Sequence, residues 1–175
     1  SHNVYLNDIS PDGKKLLCST SKSDITRCPF SLSSLFEIDL ATLQADTLVA
    51  WDAYLGSASY SPDGKQLLVT GSPSAFGGIG KNCGEHPIAN DFDTQAFIMD
   101  LATKKVQAIT RDFNPTVSPV QWNRVNGCIY FDTTDGDCRH IYRYVPKTGG
   151  FEMLPLEEDV ITSFTLANDN PVVAA

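Results

Sequence analysis

Ser10-Pro11-Asp12-Gly13-Lys14 returns 51 residues later as Ser61-Pro62-Asp63-Gly64-Lys65, and each copy runs into a short apolar segment, Leu16-Leu17 or Leu67-Leu68-Val69. Proline presets φ for the first turn position and aspartate suits the second. Glycine accepts the left-handed conformation that a three-residue hairpin loop demands. Each copy is therefore expected to join two antiparallel strands. Its recurrence is worth more than either turn alone, because a repeat at this spacing specifies an architecture.

Two degenerate copies follow. Trp122-Asn123 leads through Asn126-Gly127 into Cys128-Ile129-Tyr130-Phe131, with one extra residue expected in the turn. Phe164-Thr165-Leu166 leads through Asn168-Asp169-Asn170 into Val172-Val173, with asparagine at the left-handed position. Gly13, Gly64, Gly127 and Asn170 are spaced by 51, 63 and 43 residues.

A second segment recurs behind the first. Leu35-Phe36-Glu37-Ile38-Asp39-Leu40-Ala41-Thr42 matches Ala96-Phe97-Ile98-Met99-Asp100-Leu101-Ala102-Thr103, and more loosely Ile141 to Thr148. Phe36, Ile38 and Leu40 alternate with Glu37 and Asp39, the period of a strand. A short last run follows each: Thr47 to Ala50, Val106 to Ile109, and Phe151 to Leu154. No window shows a sustained helical period with its caps. Each unit thus reads as four strands, with length variation confined to the connection between the second and third.

Four antiparallel strands per unit at this period point to an all-β chain built as a β-propeller. The expected blades cover about 3–50, 51–110 and 111–155, with the start of a fourth at about 156–175. Known closed propellers need about four blades or more. The expectation is accordingly a propeller fragment of some three and a half blades, completed by further blades or by a second copy. Unpaired edges would favour self-association.

Composition narrows the function. The net charge of −8 and the absence of a basic stripe argue against nucleic acid. No run approaches the roughly 18 apolar residues of a membrane span. Five cysteines are too few for a disulfide framework in a chain of 175 residues. With Asp135-Gly136 as a hairpin turn, Cys128 would face Arg143 and Cys138 would face Thr133. That is about five residues apart, roughly 15 Å, beyond bridging distance. Cys18 and Cys28 flank a longer loop and could pair, whereas Cys83 has no obvious partner.

The richest candidate stretch runs from Ser72 to Asp93, because a loop of this length in a compact domain is usually functional or disordered. Its Gly80-Lys81 is no phosphate-binding loop: Ala75 stands where the first glycine belongs and Asn82 where Ser or Thr would bind magnesium. Cys83 and His86 have a metal-like spacing, but too few further ligands exist for a zinc site. The loop reads instead as a surface that contacts a ligand or a neighbouring domain, with Lys81, Glu85 and His86 as its polar contacts. No Gly-x-Ser-x-Gly elbow is present, so no catalytic residue is assigned, and no metal or cofactor is expected. Glu157-Glu158-Asp159 reads as a solvated turn. Trp51, Tyr54, Tyr60, Trp122, Tyr130 and Phe131 read as packing between blades.

The paired Ser-Pro-Asp-Gly-Lys turns and the Phe-x-x-Asp-Leu-Ala-Thr segments at Phe36 and Phe97 resemble the WD-like repeats of bacterial β-propellers. These occur in TolB-type periplasmic proteins, in oligogalacturonate lyases and in the N-terminal domain of prolyl oligopeptidase-family serine peptidases. The dipeptidyl peptidase IV and acylaminoacyl peptidase branches belong to the last group. The resemblance implies a non-catalytic propeller that gates peptide substrates for an α/β-hydrolase domain outside this chain, in a dipeptidyl aminopeptidase-like serine exopeptidase. Its alternative is a stand-alone TolB-type binding scaffold. Either would act in the periplasm or elsewhere outside the cytoplasm. A lyase would require a cluster of metal-binding histidines that these residues do not supply.

Overall fold

The structure is a computed structural model that describes residues 3–83, 93–113, 115–157, 160–167 and 173–174. It falls into two compact units, Ser1–Arg111 and Asp112–Ala175. The first unit holds two four-stranded antiparallel meanders. One is β1 (Asn3–Ile9), β2 (Lys15–Ser23), β3 (Ser31–Asp39) and β4 (Ala45–Asp52). The other is β5 (Leu55–Tyr60), β6 (Gln66–Gly71), β7 (Gln95–Asp100) and β8 (Val106–Ala108). The second unit holds a third meander, β9 (Thr116–Trp122), β10 (Ile129–Asp135), β11 (Cys138–Val145) and β12 (Gly150–Met153). A strand pair, β13 (Thr165–Leu166) and β14 (Val173–Ala174), follows.

The repeated turns join β1 to β2 and β5 to β6. Ser10 N–H donates to the Lys15 carbonyl at 2.9 Å, which leaves four residues in the loop rather than the expected three. The Ser10 hydroxyl donates to Asp12 Oδ1 at 2.7 Å and accepts the amides of Lys14 and Lys15 at 3.2 and 2.9 Å. Ser61 repeats the pattern, donating to Asp63 Oδ1 at 2.7 Å and accepting the Gln66 amide at 3.0 Å. Gly13 and Gly64 sit at φ +70° and +68°, the left-handed region where glycine is least strained. The serine thus closes the loop, a role that the Pro-Asp-Gly signature alone does not reveal.

The third turn corrects a detail. Asn123 N–H donates to the Cys128 carbonyl at 2.9 Å, so this loop also has four residues and no extra one. Glycine has moved one position later, and Gly127 N–H reaches the Asn123 carbonyl four residues back at 3.1 Å. The Asn123 side chain takes over the serine's role by accepting the amides of Val125 and Asn126. Asn168 to Asn170, read as the fourth turn, lie outside the described residues.

Two further expectations change. The β10–β11 hairpin turns at Gly136-Asp137, because Asp135 pairs with Cys138 and Thr133 with His140. Gly136, at φ +64°, occupies the first central position of the tight turn. Cys138 is therefore level with Asp135, seven residues along β10 from Cys128. None of the five cysteines is in a disulfide, and Cys18 is buried within β2 while Cys28 is exposed in the loop beyond it. The alternation in β3 is also inverted: Glu37 is only 5% exposed, whereas Phe36 and Ile38 are partly exposed and Leu40 is on the surface.

Glu37 is buried because the face it shares with Leu35 and Leu17 packs on the second meander. Leu17, Leu35 and Leu48 meet Tyr60, Leu67, Val69, Phe97 and Met99 in one core. The Glu37 carboxylate is satisfied there. Tyr60 Oη donates to Oε1 at 2.7 Å, and Lys15 Nζ lies 3.0 Å from Oε2. Burial, and then the hydrogen bond to Glu37, push the Tyr60 phenol well above its usual range. Asp8 adds a second tie by accepting the Tyr60 amide at 2.8 Å. In the second unit, Cys128, Tyr130 and Ile141 form a core with Ile161 and Phe164. An aromatic group of Phe113, Phe131, Tyr142 and Phe151 packs with ring centroids 4.6 to 6.4 Å apart. No described helix is long and apolar enough to cross a membrane.

Candidate functional site

One end of the first unit gathers three connections: the β2–β3 loop, the short β4–β5 link and the long segment after β6. The opposite end carries the regular Pro-Asp-Gly and Asp-Leu-Ala-Thr turns. Length variation is therefore collected on one side, where a repeat array places its recognition loops.

The organiser of this end is Asp52, the last residue of β4. Its Oδ1 accepts the Tyr54 amide at 2.8 Å and its Oδ2 accepts the Phe76 amide at 2.7 Å. Both carboxylate oxygens are thereby used to fix the backbone of two loops. The chain then makes a single turn over Ala75–Gly78 in which Phe76, Gly77 and Gly78 are all left-handed, at φ +53°, +74° and +87°. Such a conformation is costly for phenylalanine and persists only where the surroundings hold it. Asp52 holds the Phe76 amide, and Phe97 meets the Phe76 ring edge-on at a centroid distance of 5.1 Å.

Beyond the turn the loop is pinned against β7. Gln95 Nε2 donates to the Gly80 carbonyl at 3.0 Å. A Cβ on Gly80 would lie 2.3 Å from Gln95 Oε1 and 3.0 Å from Pro73 Cα, so a side chain there would displace Gln95 from its bond and crowd the Pro73 backbone. Lys81 follows at once. Its amide donates to the Gly78 carbonyl at 3.1 Å, and the aliphatic stem lies against the open side of Gly78, leaving the residue exposed. Of the three polar contacts expected from sequence, Lys81 is thus placed on a fixed support at the loop end. Glu85 and His86 lie outside the described residues, and so do Glu158 and Asp159 of the acidic turn.

A neighbouring feature went unread in the sequence. Trp51 is not buried between strands as expected. It is 36% exposed, sits at φ +50°, and carries Lys22 Nζ 3.9 Å above its ring. The Lys22–Trp51 pair is a cation–π contact on the same side as Asp52. Ile25, Phe30 and Ile79 expose apolar side chains from the adjoining loops. These residues place aromatic, aliphatic and cationic side chains at the loop end of the first unit. No group of three metal-ligating side chains occurs among the described residues. The one described histidine, His140, lies on the β10–β11 hairpin.

No family model matches the chain, and no curated protein matches it. Solved structures do. TolB from Acinetobacter baumannii is similar with a TM-score of 0.64 and 21% identity, over 95% of this chain and 35% of that one. An acylaminoacyl peptidase in complex with Z-Gly-Gly-Phe-chloromethyl ketone is similar with a TM-score of 0.57 and 18% identity, over 94% of this chain and 26% of that one. The β-propeller domain of the Trilobed protease from Pyrococcus furiosus gives 0.59 and 11%, over 88% and 43%. The chain spans less than half the length of each. At these identities the likeness establishes the fold. The chain has the β-propeller fold of four-stranded antiparallel sheets, and the described residues hold three such sheets and a strand pair.

Proposed function

We propose that this chain is the non-catalytic propeller portion of a dipeptidyl aminopeptidase-like serine exopeptidase, which admits and helps to bind short peptides for a hydrolase domain outside the chain. The observation that carries this reading is the uneven loop end. The segment after β6 is anchored through Asp52, Phe76 and Gly80 and presents Lys81, and the Lys22–Trp51 pair lies at the same end of the strands. A regular propeller scaffold does not require strained aromatic residues there; a recognition surface gives them a use. The likeness to peptidase structures supports the same reading. Lys81 supplies a cation for a peptide carboxylate, with Glu85 and His86 as its proposed companions. An extracytoplasmic location goes with this family of functions.

The second reading, a stand-alone TolB-type scaffold that binds a protein or ligand, is favoured by the likeness to TolB over 95% of the chain. Two experiments separate the readings. Titration of the chain with tri- and tetrapeptides, followed by tryptophan fluorescence, should give saturable binding that Lys81→Ala weakens at least ~5-fold, about 1 kcal/mol. Peptides without effect at ~10 mM, a concentration at which even weak sites fill, would contradict the peptidase reading. The reading frame should continue from the chain into a Gly-x-Ser-x-Gly segment; a frame that ends after further strands would favour the scaffold.

A further inference from the structure

A propeller leaves the last strand of each sheet with an open edge at its rim, because neighbouring sheets pack on faces and not on that edge. Such an edge is a template for pairing with another chain unless it is short or blocked. β8 and β12 are short, with three and four residues. β4 has eight. Two register shifts interrupt its later half, where Val49 pairs with Leu35 and Asp52 with Ser33. Ala45, Asp46 and Thr47 instead stay in regular register with Ile38, Glu37 and Phe36. That half needs another form of protection.

The ladder shows which groups are open. Bonded and non-bonded pairs alternate between antiparallel strands. Asp39 N–H donates to the Gln44 carbonyl at 2.9 Å, so Asp46 is bonded inward while Ala45 and Thr47 turn their N–H and C=O groups off the sheet. The outward Thr47 carbonyl is taken. Lys104 Nζ, from the β7–β8 turn of the second meander, donates to it at 2.9 Å and lies 3.0 Å from Asp46 Oδ1. Lys104 holds this place against its own backbone preference. It sits at φ +55°, where the equivalent turn residues are Leu43 at +57° and Gly149 at +70°. A lysine kept in the left-handed region points to a role. The ion pair supplies little of one, because its side chains are 44% and 65% exposed.

We propose that Lys104 guards the rim: reaching across from the second meander, it closes the outer edge of the first against strand addition by another chain. An incoming strand would need the Thr47 carbonyl for its own N–H and would have to bury the ammonium group or push it aside. The guard sits at the opposite end of the unit from Lys81 and is independent of peptide binding there.

Exchange of the Thr47 amide, followed by nuclear magnetic resonance, tests this. That amide points off the sheet, so it is protected only when something covers the edge. Samples at ~10 and ~500 µM span weak association, and ~0.5 M salt screens the net charge of −8. Lys104→Gly removes the contact while relaxing the turn, so the variant stays folded. Its Thr47 amide should exchange at least ~3-fold more slowly at the higher concentration, the factor for roughly two thirds of edges covered. The parent and Leu43→Gly should show no such change. Asp46→Ala, which loses the ion pair but keeps the carbonyl contact, should behave as the parent does. Exchange in Lys104→Gly that ignores concentration, or equal slowing in the parent or in Asp46→Ala, overturns the proposal.

Discussion

Glu37 shows how one side chain ties two blades together. It is a carboxylate on the same face of β3 as the core residue Leu35, and it is kept there by Tyr60 from the next sheet and Lys15 from its own. Removing it would strand the Tyr60 hydroxyl in the core. Lys15 is 45% exposed, so its side of the pair is partly screened. Glu37→Ala should therefore lower unfolding stability by about 2–3 kcal/mol, read from the urea midpoint; Tyr60→Phe should cost about 1–2 kcal/mol. Leu43 offers the opposite case. It is 75% exposed and held at φ +57° at the end of the Asp-Leu-Ala-Thr turn. Leu43→Gly should stabilise the chain by roughly 0.5–1 kcal/mol, because glycine enters this region without a Cβ clash. The burial of Glu37 could not be read from β3 by itself. Alternation fixes two faces but does not say which is covered, and that depends on Tyr60, 23 residues further on.

At the scale of the element, the turns were the most legible part of the chain, since their bonds are local. Gly13 and Gly64 are left-handed as expected, and the strands on either side pair as expected. What the motif concealed was Ser10 and Ser61, whose hydroxyls accept backbone amides and so set a four-residue loop. Ser10→Ala should cost about 1 kcal/mol, the worth of a lost turn-capping hydrogen bond. The same turns carry a pH dependence. The Asp12 and Asp63 carboxyls are held below the usual range, first by the serine hydroxyl and then by the following lysine's amide. Asp39 is held low by the amide and then the hydroxyl of Thr42, and Asp100 by the hydroxyl and then the amide of Thr103. A depressed folded-state pKa contributes stability above the ordinary carboxylate value, and that contribution is lost as pH falls through the depressed one. Stability should thus be flat above about pH 5 and decline below about pH 4. The decline should be shallower in an Asp12→Asn, Asp63→Asn double variant. A decline centred near pH 6 would contradict this account.

At the scale of the molecule, the repeat made the architecture readable because each blade reuses the same short-range code. The β10–β11 register, two residues from expectation, shows the limit of that reading: a two-residue turn can sit at either side of Gly136, and packing chooses. The loop end was less legible still. Lys81 could be picked out from the length of its loop. Asp52, Trp51 and Lys22 come from other strands, and only the fold brings them to the same end. Asp52→Ala should release the Phe76 turn, raising amide exchange over residues 72–81 while the strand ladders stay protected. The account rests on successive four-stranded meanders, and cross-strand Hα–Hα contacts in a nuclear Overhauser spectrum test it most directly. Contacts between neighbouring ladders should place β6 between β5 and β7, and β2 between β1 and β3, with Leu67 flanked by Tyr60 and Met99. Sequential amide–amide contacts typical of helices through these segments, or a strand order other than consecutive, would contradict it.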